Sequence, residues 1–162
     1  MAILKQLWLR CRALDFPHRG KTEILSVPSG QTWPYGDVIE PNGATGLAFI
    51  VHPDREGQDA ANPGEYVTGI SYHRDVRVET DGSAFTAGQW AWWNSATRQV
   101  VPSDPGSGNG RKCFRIRTHT PGAAMADVPA NNEYSELGGT AGDIVHYVAI
   151  AEFQGDPSLV PA

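Results

Sequence analysis

Along much of this chain apolar and polar residues alternate with a period of two, the spacing of a strand with one buried face. The stretch with the most potential burial in the fewest residues is Phe85 to Val101, where Trp90, Trp92 and Trp93 fall within four residues. A polar Asn94-Ser95-Ala96-Thr97-Arg98 stretch follows, and then Gln99-Val100-Val101. This predicts a β-hairpin made of an aromatic strand, a five-residue turn and a return strand. Period two places Ala91 and Trp93 on one face, expected in the core, and Trp90 and Trp92 on the other, expected to face outward. Tyr66, Thr68, Ile70 and Tyr72 alternate in the same way, and so do Val76, Val78 and Thr80 against Arg77 and Glu79. Phe114, Ile116 and Thr118 alternate with Arg115, Arg117 and His119, a strand with one wet or partner-facing side. Thr22–Val27 is a short strand candidate, and Asp37–Glu40 and Gly46–His52 bracket a Pro41-Asn42-Gly43 turn. The apolar run Leu47–Val51 is expected to be buried on both faces, and Ile144–Ala151 is expected to be a central buried strand.

Breakers separate these runs at short intervals: Pro28-Ser29-Gly30, Pro41-Asn42-Gly43, Pro63-Gly64, Pro105-Gly106 and Pro121-Gly122. Such spacing leaves room for strands but not for many helices, so the fold class is all-β, a small β-barrel or β-sandwich. Three segments fall outside the pattern. Residues 1–21 form an N-terminal arm whose Ile3, Leu4, Leu7, Trp8, Cys11 and Leu14 suit a helical stripe, while Leu7, Leu9 and Cys11 suit a strand as well. Within the β domain of residues 22–154, residues 122–142 are long and poor in apolar side chains, an insertion loop of the kind used for function or interfaces. Residues 155–162 read as a flexible tail.

Composition adds that 162 residues with 40% hydrophobic and 19% charged residues make one globular domain rather than a disordered chain. No run of about 18 apolar residues occurs, so no membrane span is expected, and Lys5, Gln6, Arg10 and Arg12 make the N-terminus a poor signal peptide. The formal net charge of −5 conceals a division: residues 1–21 carry five basic residues against Asp15, and the remainder carries eight basic and seventeen acidic residues. A basic, partly apolar arm on an acidic body suggests docking on an acidic surface, the alternative being an arm folded back on its own body or on a neighbouring copy.

Candidate chemistry is sparse. Cys11 and Cys113 make neither a disulfide framework nor a zinc site, and read as reduced thiols of a chain made in a reducing cytoplasm. Gly106–Lys112 resembles a phosphate loop only superficially, because Arg111 precedes Lys112, Cys113 follows it, and a strand comes next. His52-Pro53-Asp54 and His73-Arg74-Asp75 place a carboxylate two residues from an imidazole, but without a Cys/His cluster for a metal. No serine elbow occurs either. No catalytic residue, cofactor or metal is therefore expected. Arg111, Lys112, Arg115 and Arg117 form a basic cluster on one strand, and the acidic body favours a solvated or subunit-facing role over nucleic acid. Exposed tryptophans on a sheet also suit stacking on sugar rings.

Gly64-Glu65-Tyr66-Val67, then Ala87-Gly88-Gln89-Trp90-Ala91-Trp92-Trp93-Asn94, then Thr97-Arg98-Gln99-Val100 is an order of turns and aromatics that resembles the capsid decoration, or cement, proteins of tailed bacteriophages. The resemblance spans about Tyr35 to Thr118; Gln89 stands where an Asp would be usual, and the arm and the 122–142 insertion are additions. It implies a compact β-barrel or sandwich on the outer surface of a phage head, often trimeric and without a catalytic site, whose partner is the major capsid protein. Lys5, Trp8, Arg10, Arg12, Trp90, Trp92, Arg115 and Arg117 are the candidate contacts to capsid or neighbouring subunits. The other reading is a carbohydrate-binding module using Trp90 or Trp92.

Overall fold

The computed structural model describes residues 9–15, 20–118, 124–126 and 145–162. Its strands are β1 (Cys11–Ala13), β2 (Gly20–Ser26), β3 (Trp33–Pro34), β4 (Val38–Ile39), β5 (Phe49–Val51), β6 (Ala60–Ala61), β7 (Tyr66–Thr80), β8 (Trp90–Asn94), β9 (Gln99–Val101), β10 (Gly110–Thr118), β11 (Ala124–Ala126) and β12 (Val145–Gln154). Five of them close a barrel in the order β7-β9-β8-β10-β12 and back to β7. Four of its seams are antiparallel; the β7–β9 seam is parallel and rests on the single pairing of Thr80 with Val100. Strands β1, β2 and β5 add to β7, β4 to β5 and β11 to β12, while β3 and β6 make a separate ribbon. The all-β class expected from the alternation is observed, and of the barrel and the sandwich it is the barrel.

The two alternating runs expected as separate strands are one strand of 15 residues, β7. It stays paired over that length by carrying extra residues. One lies at Ser71, where the pairing with β2 steps from Lys21–Tyr72 to Thr22–Ile70. Another lies at Arg74-Asp75, where the pairing with β12 steps from Phe153–His73 to Ala151–Val76. Each bulge bends and twists the strand, which lets β7 serve both the barrel and the outer strands. At Gly69 the neighbours come so close that a Cβ would lie 2.5 Å from Leu25 Cδ1 and 2.9 Å from Phe49 Cδ1, which explains a glycine inside a strand.

Inside the barrel lie Val76, Val78, Ala91, Trp93, Val100, Phe114, Ile116, Ala149, Ala151 and Phe153. The rings of Phe114 and Phe153 meet at 5.2 Å between centroids, tilted by 48°, a favourable aromatic geometry. Cys113 is the extra residue of a bulge in β10 opposite β8, so Cys113 and Phe114 are both buried although adjacent. A second core of Leu9, Val27, Trp33, Tyr35, Val51, Ala61 and Val67 fills the space under the β3–β6 ribbon side of the molecule. In the run Leu47–Val51, Ala48 to Val51 are fully buried as expected and Leu47 is half-buried.

Two of the expected boundaries shift. Among the described residues, the arm is wall rather than appendage: Cys11 pairs with Val78, its amide donates to the Gly36 carbonyl at 3.0 Å, and Glu79 N donates to Arg10 O at 2.8 Å. Leu9 and Cys11 are buried, because the arm covers the flank of β7 that would otherwise be bare. This is the folded-back alternative, and Gly20 and Lys21 already belong to β2, so the division at residue 21 cuts a strand. The expected flexible tail is seated as well. Gly155 is buried, accepts from Ala48 N and donates to Ser71 O, both at 2.8 Å, and a Cβ there would overlap the carbonyl oxygens of Ala48 and Ser71. Asp156 then caps a 3-10 turn over Pro157–Leu159 through Ser158 N. Of the 122–142 insertion, residues 124–126 pair with β12, and the rest lies outside the described residues.

Candidate interaction surface

The tryptophan hairpin turns as its sequence dictates. Asn94 Oδ1 accepts from Ala96 N at 3.0 Å, Arg98 N donates to Asn94 O at 2.7 Å, and Arg98 takes the left-handed conformation at φ 58°. A non-glycine residue there is uncommon, and Arg98 is held by a bidentate bond to Asp37, Nε and Nη2 lying 3.0 and 2.8 Å from Asp37 Oδ1. Asp37 itself has its pKa raised, first by burial and against the lowering effect of Arg98. With the turn set, β8 presents Ala91 and Trp93 inward and Trp90 and Trp92 outward, Trp93 being 2% exposed and the outer two half-buried. The parity read from the sequence holds.

Cross-strand register then assembles the outer wall. Trp90 stands opposite Arg115, and Arg115 opposite Glu152, so these three make one row across β8, β10 and β12. Glu152 Oε2 accepts from Tyr72 Oη at 3.3 Å, which extends the row to β7, and both neighbours of this contact are half-buried. Trp92 stands opposite Lys112 on one side and Val101 on the other. Lys112 is turned toward the C-terminal segment, where Nζ donates to Pro161 O at 2.8 Å. Arg117 lies 3.5 Å from Asp75. The result is an aromatic stripe, Trp90 and Trp92, edged by the exposed guanidinium groups of Arg115 and Arg117 on a rigid wall.

The arm candidates fall differently. Arg12 is exposed on β1, whose pairing with Arg77 and that of Arg77 with Ile150 put it on the outer side of the wall. Arg10 is engaged: its Nη1 lies 2.8 Å from Glu79 Oε1, and Glu79 is buried. Arg77, also buried, donates to the Leu9 carbonyl. Lys5 and Trp8 lie outside the described residues. Arg111, grouped by sequence with the other cations of β10, is not a surface residue. It is buried and donates to Glu40 Oε2, Ala44 O, Gly46 O and Gly155 O at 2.8–3.0 Å, pinning the 40–46 turn and the C-terminal segment to the barrel. The parity of β10 around the Cys113 bulge is the signal that separates it from Arg115 and Arg117.

The remaining chemical candidates resolve individually. His52 Nδ1 and Asp54 Oδ1 are 2.9 Å apart, so that pair forms, beside a pocket of about 320 Å³ lined by Leu9, Cys11, Arg12, Ile50 and His52 among others. In the other pair the Asp75 amide donates to His73 Nδ1 at 3.0 Å, and the Asp75 carboxylate lies 3.5 Å from Arg117. Cys11 and Cys113 are free and buried, and burial raises both thiol pKa values. The Gly106–Lys112 segment leads into β10 and not into a helix. Among the described residues no three His, Cys, Asp or Glu side chains are grouped to hold a metal, and no helix is long and apolar enough to cross a membrane. Comparison of the chain with protein-family models, curated proteins and solved structures gave no match.

Proposed function

We propose that this protein is a capsid decoration protein that binds the outer surface of a phage head and bridges neighbouring major capsid subunits. The observation that carries the reading is the outer wall of β8 and β10, where Trp90 and Trp92 lie half-buried beside exposed Arg115 and Arg117. Aromatic and arginine side chains on a rigid support are the groups that most often anchor protein interfaces. A closed barrel holds them in place before contact, so little ordering entropy opposes binding. Each bound copy adds buried area across a subunit boundary, and linkage then favours the assembled shell over its free parts. In this reading the trimer implied by the resemblance forms on the shell rather than in free solution, with the 122–142 segment and Arg12 adding contacts to neighbours there.

Electrophoresis of purified particles tests it. The protein should be near stoichiometric with the major capsid protein, and Trp90→Ala or Arg115→Glu protein should be depleted from particles while remaining folded. Its absence from particles would end the proposal. The paired half-exposed Trp90 and Trp92 also favour a second reading, a carbohydrate-binding module. Retention on a glycan array that is lost in Trp90→Ala, with no association with particles, selects that alternative.

A further inference from the structure

We infer that β2 is a homodimerisation edge, on which a second copy of this chain adds its own β2 antiparallel about a two-fold axis at Ile24. The inference is independent of the capsid reading. It begins with the phase of the β2–β7 ladder. Val27 N donates to Glu65 O at 2.9 Å, and the register continues through Leu25–Val67 and Glu23–Gly69. The intervening residue of β7, Thr68, turns the other way: its carbonyl accepts from His52 N at 2.9 Å and its amide donates to Asp54 Oδ2. Glu23 and Leu25 therefore spend their backbone groups on β7. In an antiparallel pair such positions alternate, so the amides and carbonyls of Thr22, Ile24 and Ser26 point away from β7. Among the described residues no strand pairs with β2 on that side.

The side chains there are as unusual as the edge. Ile24 is 70% exposed and Tyr66, on the strand facing it, 68%, the two most exposed large hydrophobic residues described. Both lie on one face of the β2–β7 pair, since Tyr66 stands opposite Ser26 and Thr68 opposite Ile24. A long, nearly fully exposed edge with an isoleucine at its middle is a template for a further strand.

The chain's own β2 fits that template in one register. With the axis at Ile24, Ile24 meets the partner's Ile24, and Thr22 meets the partner's Ser26. All three outward-pointing positions then exchange paired hydrogen bonds, and no like charges stand directly opposite. Sliding by one step toward the N-terminus sets Glu23 against the partner's Glu23. Sliding the other way sets Thr22 against the partner's Pro28, which has no amide to donate. Self-complementarity in a single register is what an isologous two-fold interface requires, and it selects a second copy over an unrelated strand.

Sedimentation of the full chain over a range of concentrations should show a monomer–dimer equilibrium. Ile24→Lys, which opposes two charges at the axis, should raise the dissociation constant at least about tenfold. Ile24→Pro removes only the outward amide and should do the same. If either variant fails to fold, cysteine substitution keeps the test intact. Paired residues at such a position are about 5.5 Å apart between Cα atoms, within the span of a disulfide. Ile24→Cys should therefore cross-link into a dimer under mild oxidation, and Ser26→Cys, whose partner is Thr22, should not. A wild-type chain that stays monomeric overturns the proposal. So does an oligomer unchanged by Ile24→Lys and Ile24→Pro, or one in which Ile24→Cys and Ser26→Cys cross-link alike.

Discussion

Trp93 and its neighbours on β8 divide one chemical type between two tasks. Trp93 fills the barrel between Ala91 and Val100, whereas Trp90 and Trp92 keep part of each ring in solvent. Trp93→Ala should cost about 3–5 kcal/mol of folding stability, the range for emptying a large core site. Trp90→Ala and Trp92→Ala should cost about 1–2 kcal/mol each, since only part of their area leaves water. Chemical denaturation of the three variants measures the difference, and equal losses would contradict the assignment. The thiols offer a second residue-level check. Burial raises the pKa of both Cys11 and Cys113, and Cys11 is raised further by its proximity to Cys113. Both should be inert to a thiol reagent in the native protein at neutral pH and react once denaturant exposes them. Glu65 supplies a pH dependence. The Asn62 amide donates to its carboxylate and lowers its pKa from 4.5. A carboxyl with a depressed folded pKa stabilises the fold above its unfolded pKa and loses that contribution as pH falls through the folded one. Glu65→Gln should therefore show a smaller fall in melting temperature than the wild type on acidification below pH 4.5.

At the level of elements, alternation in the sequence revealed most of the strands and the facing of β8, because period two is a local property of the chain. The bulges were not legible. An extra residue at Cys113 or Arg74-Asp75 is defined by what the neighbouring strand does, and single-strand alternation carries no record of it. Reading Arg111 as one cation of a surface cluster is the consequence, since its side depends on the Cys113 bulge. Similarly, the arm's strand character depends on Val76–Val78 lying 63 to 67 positions away in the chain. The Arg111 cage predicts a large effect for a single charge. Arg111→Met removes the shared donor of three carbonyls as well as the partner of exposed Glu40, and should cost about 1–3 kcal/mol. Thermal unfolding of that variant beside Arg115→Met, which should differ little from the wild type, tests whether β10 separates its arginines as described.

For the whole molecule, the arm and the C-terminal segment behave as parts of the barrel. Deleting residues 1–15 would strip Leu9 and Cys11 from the cores and remove the partners of Arg77 and Glu79. Such a chain should melt well below the wild type or fail to fold, so the electrostatic role of the N-terminal region is better examined with Arg12→Glu, which reverses an exposed charge and leaves Leu9 and Cys11 in place. The insertion of β12 between β10 and β7 has a consequence for how the barrel is made. During synthesis β7 to β10 emerge first, and 26 residues separate the end of β10 from the start of β12. Throughout that interval the facing edges of β7 and β10 have no strand between them. Closure depends on a late, sequence-distant pairing, the kind that slows folding. At roughly 5–20 residues per second, each nascent chain passes seconds with two open edges and with Arg111 still lacking the Gly155 carbonyl. A chain that meets a neighbour in that interval offers it two unpaired edges that the finished barrel no longer has.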